Sequence, residues 1–335
     1  MSHPIKTKKS WHLLETKVYV TMQIKSILTA DQFTRKDLDL ILATTLKIEK
    51  LLKKHKQLNI LNEYILATMF FEPSTRTRLS FEAAMHRLGG RVVTAVGMQF
   101  SSLAKGETLY DTLKVLESYA DICAIRHPVE GASTVAAKSI SIPVINAGDG
   151  AGEHPTQGIL DLYTIAAYKD IATKNVTIGF VGDIKYGRTI HSLVKLLSKY
   201  KSSFIFISPP EIGLPQKYKD ELNNLKIPFQ ETSDIRHLAD CDVGYITRIQ
   251  EERFTDHSTY DKFKDLYIIN KAFLSTCKED LIIMHPLPRL SEVSTDMDDM
   301  PQAVYFKQAE YGLYSRMTLL LYVTGLLEKL DEYEL

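Results

Sequence analysis

The stretch from Tyr64 to Val96 constrains the fold more than any other, because it reads as strand, polar turn, helix and second strand in immediate succession. Tyr64-Ile65-Leu66-Ala67-Thr68-Met69-Phe70-Phe71 is a short apolar run rich in aromatic and β-branched residues, the pattern of a buried strand. Glu72-Pro73 breaks it. After Ser74, an N-cap residue type, Phe81, Ala84, Met85 and Leu88 recur at helical spacing, and Gly89-Gly90 supplies the stop. Arg91 to Val96 forms the next strand. The chain is therefore read as α/β, and a helix is expected to begin near Thr75.

Ser74-Thr75-Arg76-Thr77-Arg78 occupies the first turn of that helix, where backbone amides lack intrahelical acceptors and the dipole is positive. Hydroxyls, amides and guanidinium groups together make a cradle for phosphate. A well-capped helix with solvated arginines is the plainer alternative.

The same alternation continues. Thr34 to Lys56 carries Leu38, Ile41, Leu42 and Leu46 on one face. Strands are predicted at Asp121 to Ile125 and Pro143 to Asn146, with Pro155 opening a helix that buries Ile159, Leu162, Tyr163 and Ala166. A second series follows: strand Val176 to Val181, helix Arg188 to Leu197, strand Phe204 to Ile207, then strands at Val243 to Thr247, Tyr267 to Ile269 and Leu281 to Met284. A closing helix is predicted over Gly312 to Lys329. With 335 residues and 44% apolar composition, two domains with parallel central sheets account for this pattern.

Lys+Arg and Asp+Glu balance at 41 each, so no global field favours nucleic acid or an acidic membrane, and any anion site must be built locally. Cys123, Cys241 and Cys277 are isolated thiols with no CxxC or Cys/His cluster, which argues against disulfides and structural zinc and suits a reducing compartment. The apolar run from Met317 to Leu327 is shorter than the roughly 20 residues needed to span a bilayer. Lys6, Lys8, Lys9 and Lys17 make the first twenty residues basic without an apolar core behind them, consistent with a loose terminus or the remnant of a trimmed targeting segment.

Further polar clusters sit where strands end. Arg126 and His154 stand at neighbouring strand ends, and a cation beside an imidazole suits the oxyanion of an acyl-type transfer, although His154 also reads as a turn residue and Gln157 as a helix cap. Lys105, with Ser101 four positions earlier, lies in a polar loop and reads equally as a solvated lysine. Gly182 to Thr189 nearly fits the P-loop spacing GxxxxGK[ST], but Arg188 replaces the lysine, and a planar guanidinium suits a carboxylate better than a phosphate-binding point charge. Arg248 and Gln250 point the same way along an extended segment and fit one small dianion; Glu251, Glu252 and Arg253 next to them also allow a surface charge run. In His285-Pro286-Leu287-Pro288-Arg289 two prolines fix the backbone, so the carbonyls of Leu287 and Pro288 can be aimed at an amide NH₂, or simply form a rigid turn. Asp296, Asp298 and Asp299 read as a solvated acidic turn rather than a metal site.

Phe70 to Glu82, with its Ser-Thr-Arg-Thr-Arg core, resembles the carbamoyl-phosphate signature of the aspartate and ornithine carbamoyltransferase family. The Asn146 to Gln157 loop matches that family's carbamoyl-binding loop, and the resemblance runs in order from about Lys36 to Lys329. Thr247 to Arg253 resembles the aspartate branch; no Ser-Met-Gly motif of the ornithine branch is present, and Pro286 stands where ornithine enzymes carry cysteine. The resemblance implies an N-terminal extension over 1–35, a carbamoyl phosphate domain over 36–155 completed by 312–335, an aspartate domain over 156–311, and an active site in the cleft between them. It implies carbamoyl transfer from carbamoyl phosphate to the α-amine of L-aspartate, in pyrimidine biosynthesis, by a cytoplasmic homotrimer without metal or cofactor. Ornithine or another amino acid as acceptor, a P-loop-like NTPase, and a non-catalytic relative are the competing classes.

In that reading Ser74, Thr75, Arg76 and Thr77 hold the phosphate, and Thr77, Arg126 and His154 polarise the carbonyl. Gln157, Leu287 and Pro288 orient the NH₂. Arg188, Arg248, Gln250 and Lys105 bind aspartate, with Ser101 and Lys105 supplied by a neighbouring subunit. The charges match: Arg76, Lys105, Arg126, Arg188 and Arg248 face about four negative charges on the two substrates.

Overall fold

The computed structural model describes residues 25–97, 105–150, 152–249, 262–263 and 265–334. They fall into two units, one of residues 25–163 with 310–334 and the other of residues 164–309.

In the first unit α1 (Arg35–Lys54) starts at a capping box in which Thr34 and Asp37 satisfy each other's backbone amides. β1 (Ile65–Phe70), α2 (Thr75–Arg87) and β2 (Arg91–Val96) follow as the sequence predicts. Next come α3 (Leu109–Leu116), β3 (Ile122–His127), α4 (Ala132–Ser139), β4 (Val144–Asp149) and α5 (Pro155–Tyr168). The strands are all parallel in the order β2-β1-β3-β4, with Phe70 opposite both Val96 and Arg126. Leu66 to Phe70 are buried throughout because helices cover the sheet, whereas β2 is an edge strand with Val93 and Val96 exposed. Ala67, Met69, Cys123, Ile125 and Val144 pack with Leu113 and Ala136 into one core layer.

The second unit contains β5 (Val176–Val181), α6 (Arg188–Leu197), β6 (Ser202–Ile207), α7 (Gln216–Asn224), β7 (Phe229–Thr232), β8 (Val243–Ile246) and β9 (Ile282–Met284). Its sheet is parallel in the order β7-β6-β5-β8-β9. Phe180 and Phe206 stack with ring centroids 5.5 Å apart, and Tyr245 meets Phe180 edge-on at 5.7 Å.

Three expectations change. Tyr267 to Ile269 forms no strand; Ile269 makes an isolated bridge to Val293. The closing helix, α8 (Tyr305–Thr324), begins before Gly312 and stops before Gly325, whose φ of +72° is the left-handed conformation that ends helices. Residues Leu327–Glu332 then form a separate 3₁₀ turn. α7 and β7 complete a βαβ crossover that the pattern of apolar residues left unread.

Both sheets share a construction rule. The chain places β2 on one side of β1 and then β3 and β4 on the other; it places β6 and β7 on one side of β5 and then β8 and β9 on the other. Each sheet therefore has a switch point, between β1 and β3 and between β5 and β8, where loops leave in opposite directions and open a crevice at the strand carboxyl ends.

Candidate active site

In the first unit the crevice is lined from three adjacent strand ends. The turn after β1 is fixed to the end of β3 by the Phe71 N–H, which donates to the Arg126 carbonyl at 2.9 Å. Ser74 is the N-cap residue of α2 with extended backbone, and its side chain makes no capping bond to the helix. The first-turn amides of Thr75, Arg76 and Thr77 thus lie at the positive end of α2, in the geometry that binds anions. Thr77 is buried and Arg76 reaches solvent, although partial burial draws its guanidinium pKa below the usual arginine value. Arg78, half-buried one turn into the same helix, has its Nε 3.6 Å from Glu82 Oε1.

Arg126 spans the crevice floor. Its Nε lies 3.4 Å from Glu72 Oε2 and its Nη1 donates to the Ala147 carbonyl at 3.5 Å. Glu72 reads in the sequence only as a strand breaker, and nothing in its spacing reveals that it orients Arg126. The end of β4 and the turn after it pass through Gly148 and Gly150, with φ of +114° and +48°. A side chain on Gly150 would come within 2.7 Å of the Glu130 amide, so only glycine fits that approach. Asp149 ties the loop down by accepting from Ser133 Oγ at 2.9 Å and the Gly131 N–H at 3.1 Å. The loop delivers buried His154, whose carbonyl receives the amides of Gln157 and Gly158, and Pro155 opens α5. Thr156 Oγ1 lies 3.4 Å from His154 Nδ1.

In the second unit Arg188 opens α6 after β5, and Arg248 comes after Thr247 just past the end of β8, the strand adjacent to β5. The two loops touch closely. Thr247 donates through its N–H and its Oγ1 to the Val181 carbonyl, at 2.9 and 3.1 Å, and a β-carbon on Gly182 would sit 2.2 Å from the Thr247 carbonyl oxygen. Gly182 has φ of +111°, so glycine is required twice over. His191 in α6 donates through Nε2 to the Ile184 carbonyl at 2.9 Å and stacks on Tyr218. Burial, reinforced by Lys217 and Lys195, draws its pKa down to about 4, so the ring is neutral near pH 7.

The P-loop spelling does not make a phosphate cradle here. The Tyr186 amide donates to buried Asp183 at 2.9 Å, and the amides of Ile184 and Lys185 both donate to the Ile212 carbonyl. Those are the donors a nucleotide phosphate would require, and Asp183 adds a carboxylate among them.

Leu287 and Pro288 follow β9, the strand beside β8, joined by a cis peptide bond. Leu287 has φ of +53° and donates its N–H to His285 Nδ1 at 2.8 Å. Nδ1 is therefore the acceptor nitrogen, and Nε2–H faces Glu292 Oε1 at 2.8 Å, with both side chains buried. Glu292 also receives the Leu290 amide at 3.1 Å. Burial raises the Glu292 pKa, but the hydrogen bonds from His285 and the loop backbone outweigh it and leave the carboxyl below its ordinary value. This frame, invisible in sequence order, holds the Leu287 and Pro288 carbonyls.

Lys105 lies in an exposed turn ahead of α3, while Ser101 and Gln250 lie outside the described residues. Among the described residues no group of three His, Cys, Asp or Glu side chains is placed to hold a metal ion, and no helix is long and apolar enough to cross a membrane.

Two doubly wound units, each with cationic and hydroxyl groups at a switch point, define an α/β protein built for small anions. Residues 25–167 match the family model of the aspartate/ornithine carbamoyltransferase carbamoyl-P binding domain, and residues 174–323 match that of the Asp/Orn binding domain. The chain belongs to the aspartate/ornithine carbamoyltransferase family. It is 54% identical over 301 residues to the aspartate carbamoyltransferase catalytic subunit of Leptospira biflexa, covering 90% of this chain and 97% of that one. The structure of the Methanocaldococcus jannaschii aspartate transcarbamoylase catalytic subunit superposes with a TM-score of 0.84 at 46% identity, over 93% of this chain and 100% of that one. A Trypanosoma cruzi aspartate transcarbamoylase in complex with carbamoyl phosphate and aspartate gives 0.83 at 38% identity, over 88% and 95%.

Proposed function

We propose that the chain is an aspartate carbamoyltransferase, joining the carbamoyl group of carbamoyl phosphate to the α-amine of L-aspartate and releasing phosphate. The observation that carries this is the open first turn of α2, with Ser74, Thr75, Arg76 and Thr77 at the end of β1, beside Arg126 on β3 and the His154–Gln157 segment after β4. The phosphate is held by the α2 amides, the hydroxyls and Arg76. Arg126, His154 and Thr77 stabilise the oxyanion as the amine attacks, while Gln157 and the carbonyls of Leu287 and Pro288 accept hydrogens from the NH₂. Carbamoyl phosphate is a mixed anhydride and already activated, so no nucleophilic side chain is called for; the departing phosphate takes the amine proton.

Arg188 and Arg248, at the ends of adjacent strands, support a dicarboxylate as acceptor. The same two guanidinium groups repel the cationic side chain of ornithine. Gln250 and Lys105 complete the aspartate set, and Ser101 joins the carbamoyl phosphate set. Ser101 and Lys105 are proposed to act in the site of a neighbouring subunit of a homotrimer. Exposed Tyr110, Val115 and Tyr119, which follow Lys105 on and beyond α3, support such packing. The proposed setting is cytoplasmic pyrimidine synthesis, in keeping with three thiols left free. The test is phosphate release from carbamoyl phosphate without ATP: release with aspartate and not with ornithine is expected, and release only with ornithine, or none, refutes the assignment.

A further inference from the structure

Gln157 offers either end of its amide to a ligand, and only the carbonyl end can accept from a carbamoyl NH₂. Its other end is already occupied. Nε2 donates to Asp161 Oδ1 at 2.9 Å, one turn along α5. A carboxylate accepts and never donates, so this contact admits one amide orientation, with Oε1 turned away from Asp161.

Asp161 is fully buried and so is Arg316 of α8; burial draws the Arg316 pKa down to about 10, and the Asp161 charge partly offsets it. Arg316 itself lies against two residues, Phe81 and Gly312. Its guanidinium lies 5.1 Å from the centre of the Phe81 ring in α2, Nη1 donates to the Gly312 carbonyl at 3.2 Å, and a β-carbon on Gly312 would sit 2.6 Å from Nη1. Two buried opposite charges are weak evidence for stability, because apolar residues of similar size often serve as well. A buried carboxylate hydrogen-bonded to a substrate-facing amide calls for another role.

Resting on the assignment of Gln157 to the carbamoyl NH₂, we propose that buried Asp161 is the positioning residue that locks the Gln157 amide with its oxygen toward the ligand, and so sets the preference for a carbamoyl over an acetyl group. In Asp161→Asn the neighbour of Gln157 can donate as well as accept, so the Gln157 amide is released from its single orientation and can present NH₂ to NH₂. In the double variant Asp161→Leu/Arg316→Met both charges go, the fold keeps a packed core, and Gln157 rotates freely.

Calorimetric titration with carbamoyl phosphate, acetyl phosphate and inorganic phosphate separates the outcomes. Losing one net hydrogen bond weakens carbamoyl phosphate about fivefold or more in either variant, while acetyl phosphate and inorganic phosphate stay within about twofold. Parallel weakening of all three overturns the proposal, since that is what a merely structural pair would give. Gln157→Ala is the reference: if it too leaves the carbamoyl-to-acetyl ratio unchanged, the Gln157 assignment fails; if it lowers the ratio and the Asp161 variants do not, only the positioning role fails. In the unaltered protein the Gln157 side-chain NH₂ is expected to be protected from solvent exchange before ligand is added. Protection that arises only on adding carbamoyl phosphate overturns the orientation.

Discussion

Acid should act on the second unit through His191. The ring is buried against Tyr218, spends Nε2–H on the Ile184 carbonyl, and has a folded pKa of about 4 against an ordinary value of 6.5. The unfolded chain therefore takes up the proton first on acidification. Stability carried by the neutral ring is complete above pH 6.5 and is lost as pH falls toward 4. At about 1.4 kcal/mol per pH unit, the window amounts to about 3 kcal/mol. His191→Gln keeps a donor near Ile184 and does not titrate; it forfeits the stacking on Tyr218, about 1 kcal/mol that does not vary with pH. Urea unfolding followed by circular dichroism from pH 4 to 7 should show the variant slightly weaker at pH 7 and stronger at pH 4. Because His191 holds the loop leading to Arg188, KM for aspartate should rise on the acid side in the parent alone. Stability curves that stay parallel across the range would refute the reasoning, since a shared slope must come from other groups.

Arg76→Ala removes the guanidinium at the mouth of the α2 turn, and a charged bond of about 3 kcal/mol implies carbamoyl phosphate binding at least a hundredfold weaker by titration; unchanged affinity contradicts the cradle. Lys105→Ala and Arg76→Ala chains, each inactive alone, should regain activity when unfolded together and reassembled, and no recovery counts against sites shared between subunits. Gly182→Ala forces a β-carbon into the Thr247 carbonyl at a φ no alanine favours, with an expected loss of about 3 kcal/mol or more in unfolding free energy; a change below about 1 kcal/mol would show that the loop yields.

The architecture was legible because buried parallel strands write themselves as uninterrupted apolar runs. Ile65–Phe70 and Val176–Val181 have both faces covered, and polar clusters follow their carboxyl ends. β7 escaped because it closes the sheet edge with Gln230 and Glu231 exposed, and α7 because its buried face is little more than Tyr218 and Leu222. Gly312 misled in the opposite sense. It reads as a boundary, yet it lies inside α8, where the Arg316 guanidinium occupies the space of its missing side chain. Which cations gather at strand ends was readable from the motifs; which carboxylates steer them was not. Glu72 acts across a long separation and Glu292 partly through a backbone amide, and no spacing rule reports that.

The turn after β5 shows how little a string of letters secures. Swapping Arg188 for lysine would restore the familiar P-loop spelling, yet Asp183 and the Ile212 carbonyl would still claim the amides of Tyr186, Ile184 and Lys185. An evolutionary route from this loop to a nucleotide site must dismantle its internal hydrogen bonding before it gains any new contact, so intermediates would lose one trade without yet having learned another.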